Sequence, residues 1–117
     1  MQSVAFAAPI LPGRTEDDRE AMRSCSHGAR KSDFESSRTR HGIRREAVWL
    51  QPTPAGDVAV VYLEADDLQS AFDGLGSSQE PFDRWFRDMA REVHGIDLEQ
   101  GFPPPEQLID FRAGDKS

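Results

Sequence analysis

The sequence predicts an α+β fold, an antiparallel sheet with helices on one side, in the order β-α-β-β-α-β. Three observations carry this. Residues 58–63 read Val-Ala-Val-Val-Tyr-Leu, apolar at every position. A strand with one wet face alternates apolar and polar residues, because successive side chains point to opposite sides, so this strand needs cover on both. A second strand over residues 45–51 joins it through Pro52-Thr53-Pro54-Ala55-Gly56-Asp57, a stretch of turn formers. Finally, Phe82, Trp85, Phe86, Met89, Ala90 and Val93 recur at helical spacing between Ser78 and His94.

The remaining elements follow in order. Residues 3–10 form the first strand, with Val4, Ala5, Phe6, Ala7 and Ala8 apolar on both faces, and Leu11-Pro12-Gly13 ends it. Thr15 is the expected N-cap of the next helix, and Glu16, Asp17 and Asp18 fill a first turn that favours negative charge. Helical character runs to about His41 on a thin apolar stripe of Ala21, Met22, Cys25, Ala29 and Phe34. Gly28 is a weak point, so this is one exposed helix or two in tandem. After the hairpin, Asp66 or Asp67 caps a short helix with Leu68, Ala71, Phe72 and Leu75 on one side. The last helix is expected to turn Asp83, Arg84, Arg87, Asp88, Arg91 and Glu92 outward. Pro103-Pro104-Pro105 is stiff, Leu108-Ile109-Asp110-Phe111 is the expected fourth strand, and the domain is taken as 1–112 with 113–117 a frayed tail. Helices that cover one sheet face leave the other bare, and a second copy pressed sheet to sheet is the simplest cover.

Composition narrows the function classes. The net charge of −7 is uneven: residues 1–45 carry nine basic and six acidic side chains, residues 46–117 five and fifteen. An acidic chain without a continuous basic face is a poor nucleic-acid binder. No apolar run approaches the roughly 20 residues of a membrane span, and the N-terminal apolar run lacks the basic start of a signal peptide. Cys25 has no partner for an internal disulfide, which fits a cytoplasmic protein.

The Pro-Gly-Arg-Thr-Glu-Asp junction, Gly42-Ile43 before the second strand, and Val-Val-Tyr-Leu-Glu-Ala-Asp-Asp-Leu at 60–68 resemble the dimeric α+β barrel superfamily. More narrowly, they resemble a group of small uncharacterised bacterial proteins with that ferredoxin-like arrangement. The resemblance covers residues 3–94 and rests on structural motifs. It implies a homodimer with a cavity between sheet and helices. The superfamily also holds haem-degrading enzymes that use an Asn with Trp and His; this chain has no Asn.

Candidate chemistry is sparse. His27, His41 and His94 each precede a glycine, a helix-stop signature. His94 has a second reading as a proton shuttle at a pocket rim, beside Tyr62 as the other candidate catalytic group. Phe6, Trp49, Trp85, Phe86 and Met89 are the candidate ligand-binding residues, for a small apolar or aromatic ligand. Glu64, Asp66 and Asp67 lack the spaced His or Cys of a metal site, and no cofactor fingerprint occurs. The expected function is a dimeric small-ligand-binding or stress-response-type protein without assigned catalysis. The alternative is a cofactor-independent monooxygenase or isomerase acting on an aromatic or polyketide-like molecule.

Overall fold

The computed structural model describes residues 1–101 and 104–114. Strand β1 (Gln2–Pro9) is followed by helices α1 (Thr15–Ser26) and α2 (Lys31–Arg40), then strands β2 (Ile43–Thr53) and β3 (Gly56–Ala65). Helices α3 (Leu68–Ser77) and α4 (Pro81–Met89) complete the larger elements. The sheet has three strands in the order β1-β3-β2, all antiparallel. The most apolar strand is thus central, where both of its edges are paired.

The strand pleat sorts the side chains. Val4, Phe6 and Ala8 of β1, Val48 and Leu50 of β2, and Ala59, Val61, Leu63 and Ala65 of β3 face the helices. An irregularity in β2 between Ile43 and Arg45 lets Ile43 and Glu46 share that same side, as an extra residue in a strand shifts its alternation. The core lies in two clusters. Ile43, Leu63 and Ala65 pack against Ala71 and Leu75 of α3, while Ile10 and Ala21 pack against Met89 and Val93.

Several local expectations are met and others revised. The helical region before β2 does divide near Gly28, but Thr15 is not a cap. The N-cap of α1 is Arg14 without a side-chain bond, and the Thr15 hydroxyl instead donates to Asp57 Oδ2 at 2.7 Å. Asp67 caps α3, its Oδ1 accepting from the Ser70 N–H at 3.0 Å. Gly42 and Gly95 take φ of +73° and +69°, the left-handed geometry that ends a helix, whereas Gly28 does not. The last helix starts later than expected, with Pro81 in its first turn, and its end widens into a π-helical turn, Ala90–His94.

Two larger revisions concern packing. Asp83 and Arg87, expected on the outer face of α4, are buried. Helix α4 is flanked by both α2 and α3, so the side of it shielded from water is wider than its apolar stripe. The fourth strand expected at Leu108–Phe111 is in no ladder, and Leu108, Ile109 and Phe111 are 85, 82 and 81% exposed. Phe102, Pro103 and the tail residues Asp115–Ser117 lie outside the described residues.

Helix α2 shows how a polar segment can dock. It offers Phe34 and little else that is apolar, yet Ser37 and Arg38 are buried. Ser37 Oγ donates to Asp83 Oδ1 at 2.5 Å, and Arg40 and His41 Nε2 donate to Asp83 Oδ2 at 3.0 and 2.9 Å. Burial alone would raise the Asp83 carboxyl, but these bonds and one from Ser78 outweigh it and hold the group well below the usual carboxylate range. Buried charge persists where it is paired and hydrogen-bonded, which is the case here.

Candidate functional site

Two hollows share a wall. The inner one, a cavity of about 90 Å³, lies between the covered sheet face and the helices. The outer one is a cleft of about 720 Å³ along β1 and α3, opposite residues 98–101 and 104–105. Phe6, Phe72 and Leu98 line both. Val4 and Leu68 extend the apolar floor of the cleft, and Gln2, Gln69, Asp73 and Glu99 supply polar groups around it.

The inner cavity carries two polar pairs among apolar walls. At one side, the Arg38 Nε–H donates to Glu46 Oε1 at 2.8 Å, with both side chains about nine-tenths buried. The guanidinium also lies over the rings of Phe86 and Phe34, at 4.3 and 4.7 Å from their centroids. This arginine is held on every side, by charge and by cation–π contact.

At the other side is His94. Its Nδ1 lies 2.8 Å from the Pro9 carbonyl oxygen, which can only accept, so Nδ1 carries a proton. Its Nε2 faces Asp18 Oδ1 at 3.3 Å. Asp18 is buried, and its Oδ1 has no aligned hydrogen-bond donor among the described residues. Burial would lower the His94 value, but the Asp18 carboxylate and the Pro9 carbonyl outweigh it, and the net shift is upward. Nδ1 is committed to the Pro9 carbonyl and Nε2 is turned to the Asp18 carboxylate, so both ring nitrogens are directed at groups of the protein.

The residues predicted from sequence are divided by the fold. Phe6, Phe86, Met89 and His94 line the inner cavity. Tyr62 and Trp49 stand on the opposite side of the sheet, because their positions alternate with Leu63 and Val48. The Tyr62 hydroxyl donates to Glu64 Oε2 at 2.6 Å, and this bond raises the phenol above its ordinary value. Trp85 is turned toward α1, its ring 4.0 Å from the Arg30 guanidinium carbon. Hence no tyrosine–histidine pair forms around one space.

Sequence reasoning missed Asp18, Arg38 and Glu46 as cavity residues. Asp18 reads as an ordinary dipole-matching acid, and its partner is distant in sequence. No metal-binding group of three or more His, Cys, Asp or Glu occurs among the described residues. No helix among them is long and apolar enough to cross a membrane. No family model matches the chain, and no curated protein matches it. The described fold and hollows therefore define its class: a small α+β protein with a three-stranded antiparallel sheet and a cleft with an apolar floor and polar margins.

Proposed function

We propose that this chain is a dimeric, non-catalytic binding protein that takes a small, largely apolar ligand in the cleft along β1 and α3. The observation that carries the reading is the cleft itself. Its volume falls in the roughly 300–1,000 Å³ range of small-molecule sites, with an apolar floor and a few polar groups at the margin. The inner cavity is too small for an aromatic substrate, since benzene occupies engineered cavities of about 150 Å³. His94 has Nδ1 bonded to the Pro9 carbonyl and Nε2 facing Asp18, and Tyr62 is across the sheet. These features support binding over a cofactor-independent oxygenase or isomerase.

The element order through α4, with helices on one face, supports a ferredoxin-like reading within the dimeric α+β barrel type, here without a paired fourth strand. The open sheet face supports the dimer. It carries Ala5, Ala7, Ala47, Trp49, Val58, Val60 and Tyr62, with Arg45 and Glu64 at one end. A contiguous apolar patch of this kind commonly marks a contact surface.

A neutral fluorescent dye such as Nile red tests the site. Binding at micromolar concentration is expected, and Leu68→Arg at the half-buried start of α3 should weaken it at least tenfold. Absence of dye binding, or binding indifferent to that substitution, would remove the cleft as a ligand site.

A further inference from the structure

The segment after Pro105 carries three large apolar side chains, Leu108, Ile109 and Phe111, that stand in water within the subunit. We propose that this arm, residues 106–112, packs on a second copy, along the outer edge of that copy's β2 and over its open sheet face beside Trp49. The inference rests on the dimer reading above and names what completes that interface.

Area is the first argument. With strands about 4.8 Å apart and about 6.8 Å between like-facing residues, the open face of three strands and four rows covers roughly 400 Å². A stable interface buries about 800 Å² on each partner, and monomers carry apolar patches of about 300–600 Å². By footprint the face is no larger than the patch an ordinary monomer carries. Exchanged arms bring three further apolar side chains per copy, each contributing on the order of 100 Å² or more.

Hydrogen bonding is the second. Among the described residues, neither β1 nor β2 has a main-chain hydrogen bond along its outer edge, and an open edge is a template for a further strand. The β1 side is already flanked by Pro104 and Pro105 of the same chain, which border the cleft with Gln2 and Val4. Prolines cannot donate to a ladder, whereas every residue from Glu106 to Arg112 can. The β2 edge lies beyond β3, on the far side of the sheet from this segment. Trp49, 54% exposed, marks the same β2 region from the open face. Reciprocal contact of this kind closes a twofold dimer without leaving a free end.

Sedimentation of the full chain, of a form lacking residues 107–117, and of Val60→Arg separates the arm from the face. The full chain should be a dimer at micromolar concentration. Loss of the arm should weaken association on the order of 100-fold or more while circular dichroism and melting stay those of a folded protein. An unchanged dissociation constant would overturn the arm and leave the face standing. Dissociation on arm loss with Val60→Arg still dimeric would instead overturn the face and keep the arm. A monomeric full chain defeats both. Should the shortened form fail to fold, a photo-crosslinking residue at position 109 decides. Products at dimer mass that map to β2 support the exchange, and products at monomer mass alone overturn it.

Discussion

On β3, Ala59, Leu63 and Ala65 are buried against the helices, while Val58, Val60 and Tyr62, one residue out of step, are only half-buried on the open face. The two sides of this strand are similar in composition and differ in what lies over them. On the covered side, apolar packing is accompanied by buried charge fixed in pairs: Arg38 with Glu46, Asp18 with His94, and Asp83 with Ser37, Arg40 and His41. The open side has its charges only at one end, where Glu64 meets Tyr62 and, at 4.0 Å, Arg45. The contrast shows that apolar content does not by itself fix which face is covered; on the covered side, polar pairs also join the packed elements.

The sharpest way to break the comparison is to place the same charge on either face. Val61→Arg, half-buried like Val60 but facing the helices and the inner cavity, should cost several kcal/mol, because its charge has to enter that enclosed space, and domains hold only about 5–15. Val60→Arg, its neighbour, should leave the monomer within about 1 kcal/mol of the parent and abolish self-association instead. Urea unfolding and sedimentation on both proteins read this out. Equal loss of folding in the two variants would mean that the faces are not distinct in the monomer.

The clamps come next. Asp83→Ala strips Ser37, Arg40 and His41 of a shared acceptor whose side chain is fully buried. Removing one member of such a buried cluster typically costs about 3–5 kcal/mol, and the urea midpoint should fall accordingly. A loss below about 1 kcal/mol would show that α2 is held by Phe34 and its ring contacts. A smaller effect, about 1–3 kcal/mol, is expected for Gly74→Ala. Its methyl group would overlap the His41 ring, which Asp83 keeps from moving away. If Asp83→Ala is already present, the ring is released and the Gly74→Ala penalty should shrink. That non-additivity is the specific signature of the clamp.

Much of the sheet was legible in the sequence because strand signals are local. The hairpin, the apolar run of β3 and a cap at Asp66 or Asp67 each depend on residues within a few positions. Alternation alone puts Tyr62 with Val60 and Trp49 with Ala47, but which face the helices would cover is not readable from sequence. That is set by where α1 and α4 return to the sheet. The buried ions were illegible for the same reason. Asp18 and His94 are 76 residues apart, and Asp83 meets Ser37 only when α2 and α4 are packed. A faint signal existed in Ser37 and His41, four apart with His41 at the C-cap, both polar beside an element with little apolar surface to dock by. The segment 108–111 misled because strand-like composition states a need for cover and says nothing of which chain supplies it.

The smallest predicted effect tests the other covered clamp, His94 with Asp18, through pH. The His94 value is raised in the folded chain, so the native state holds this proton more tightly than the unfolded state does. Its contribution is complete below the unfolded value of about 6.5 and is lost as pH rises through the higher folded value. Asp83 has the opposite sign, since its lowered value contributes above about pH 4 and fades only in acid. Between pH 5.5 and 8.5 the two are therefore separable. The stability gap between the parent and His94→Gln, in which the amide can still donate to the Pro9 carbonyl, should narrow as pH increases. The change should be less than about 1 kcal/mol, since the imidazole is not fully removed from solvent. A gap that is flat across this range would mean that His94 is held by the Pro9 carbonyl alone and that Asp18 is buried for another reason; a gap that widens would contradict the upward shift of His94 altogether.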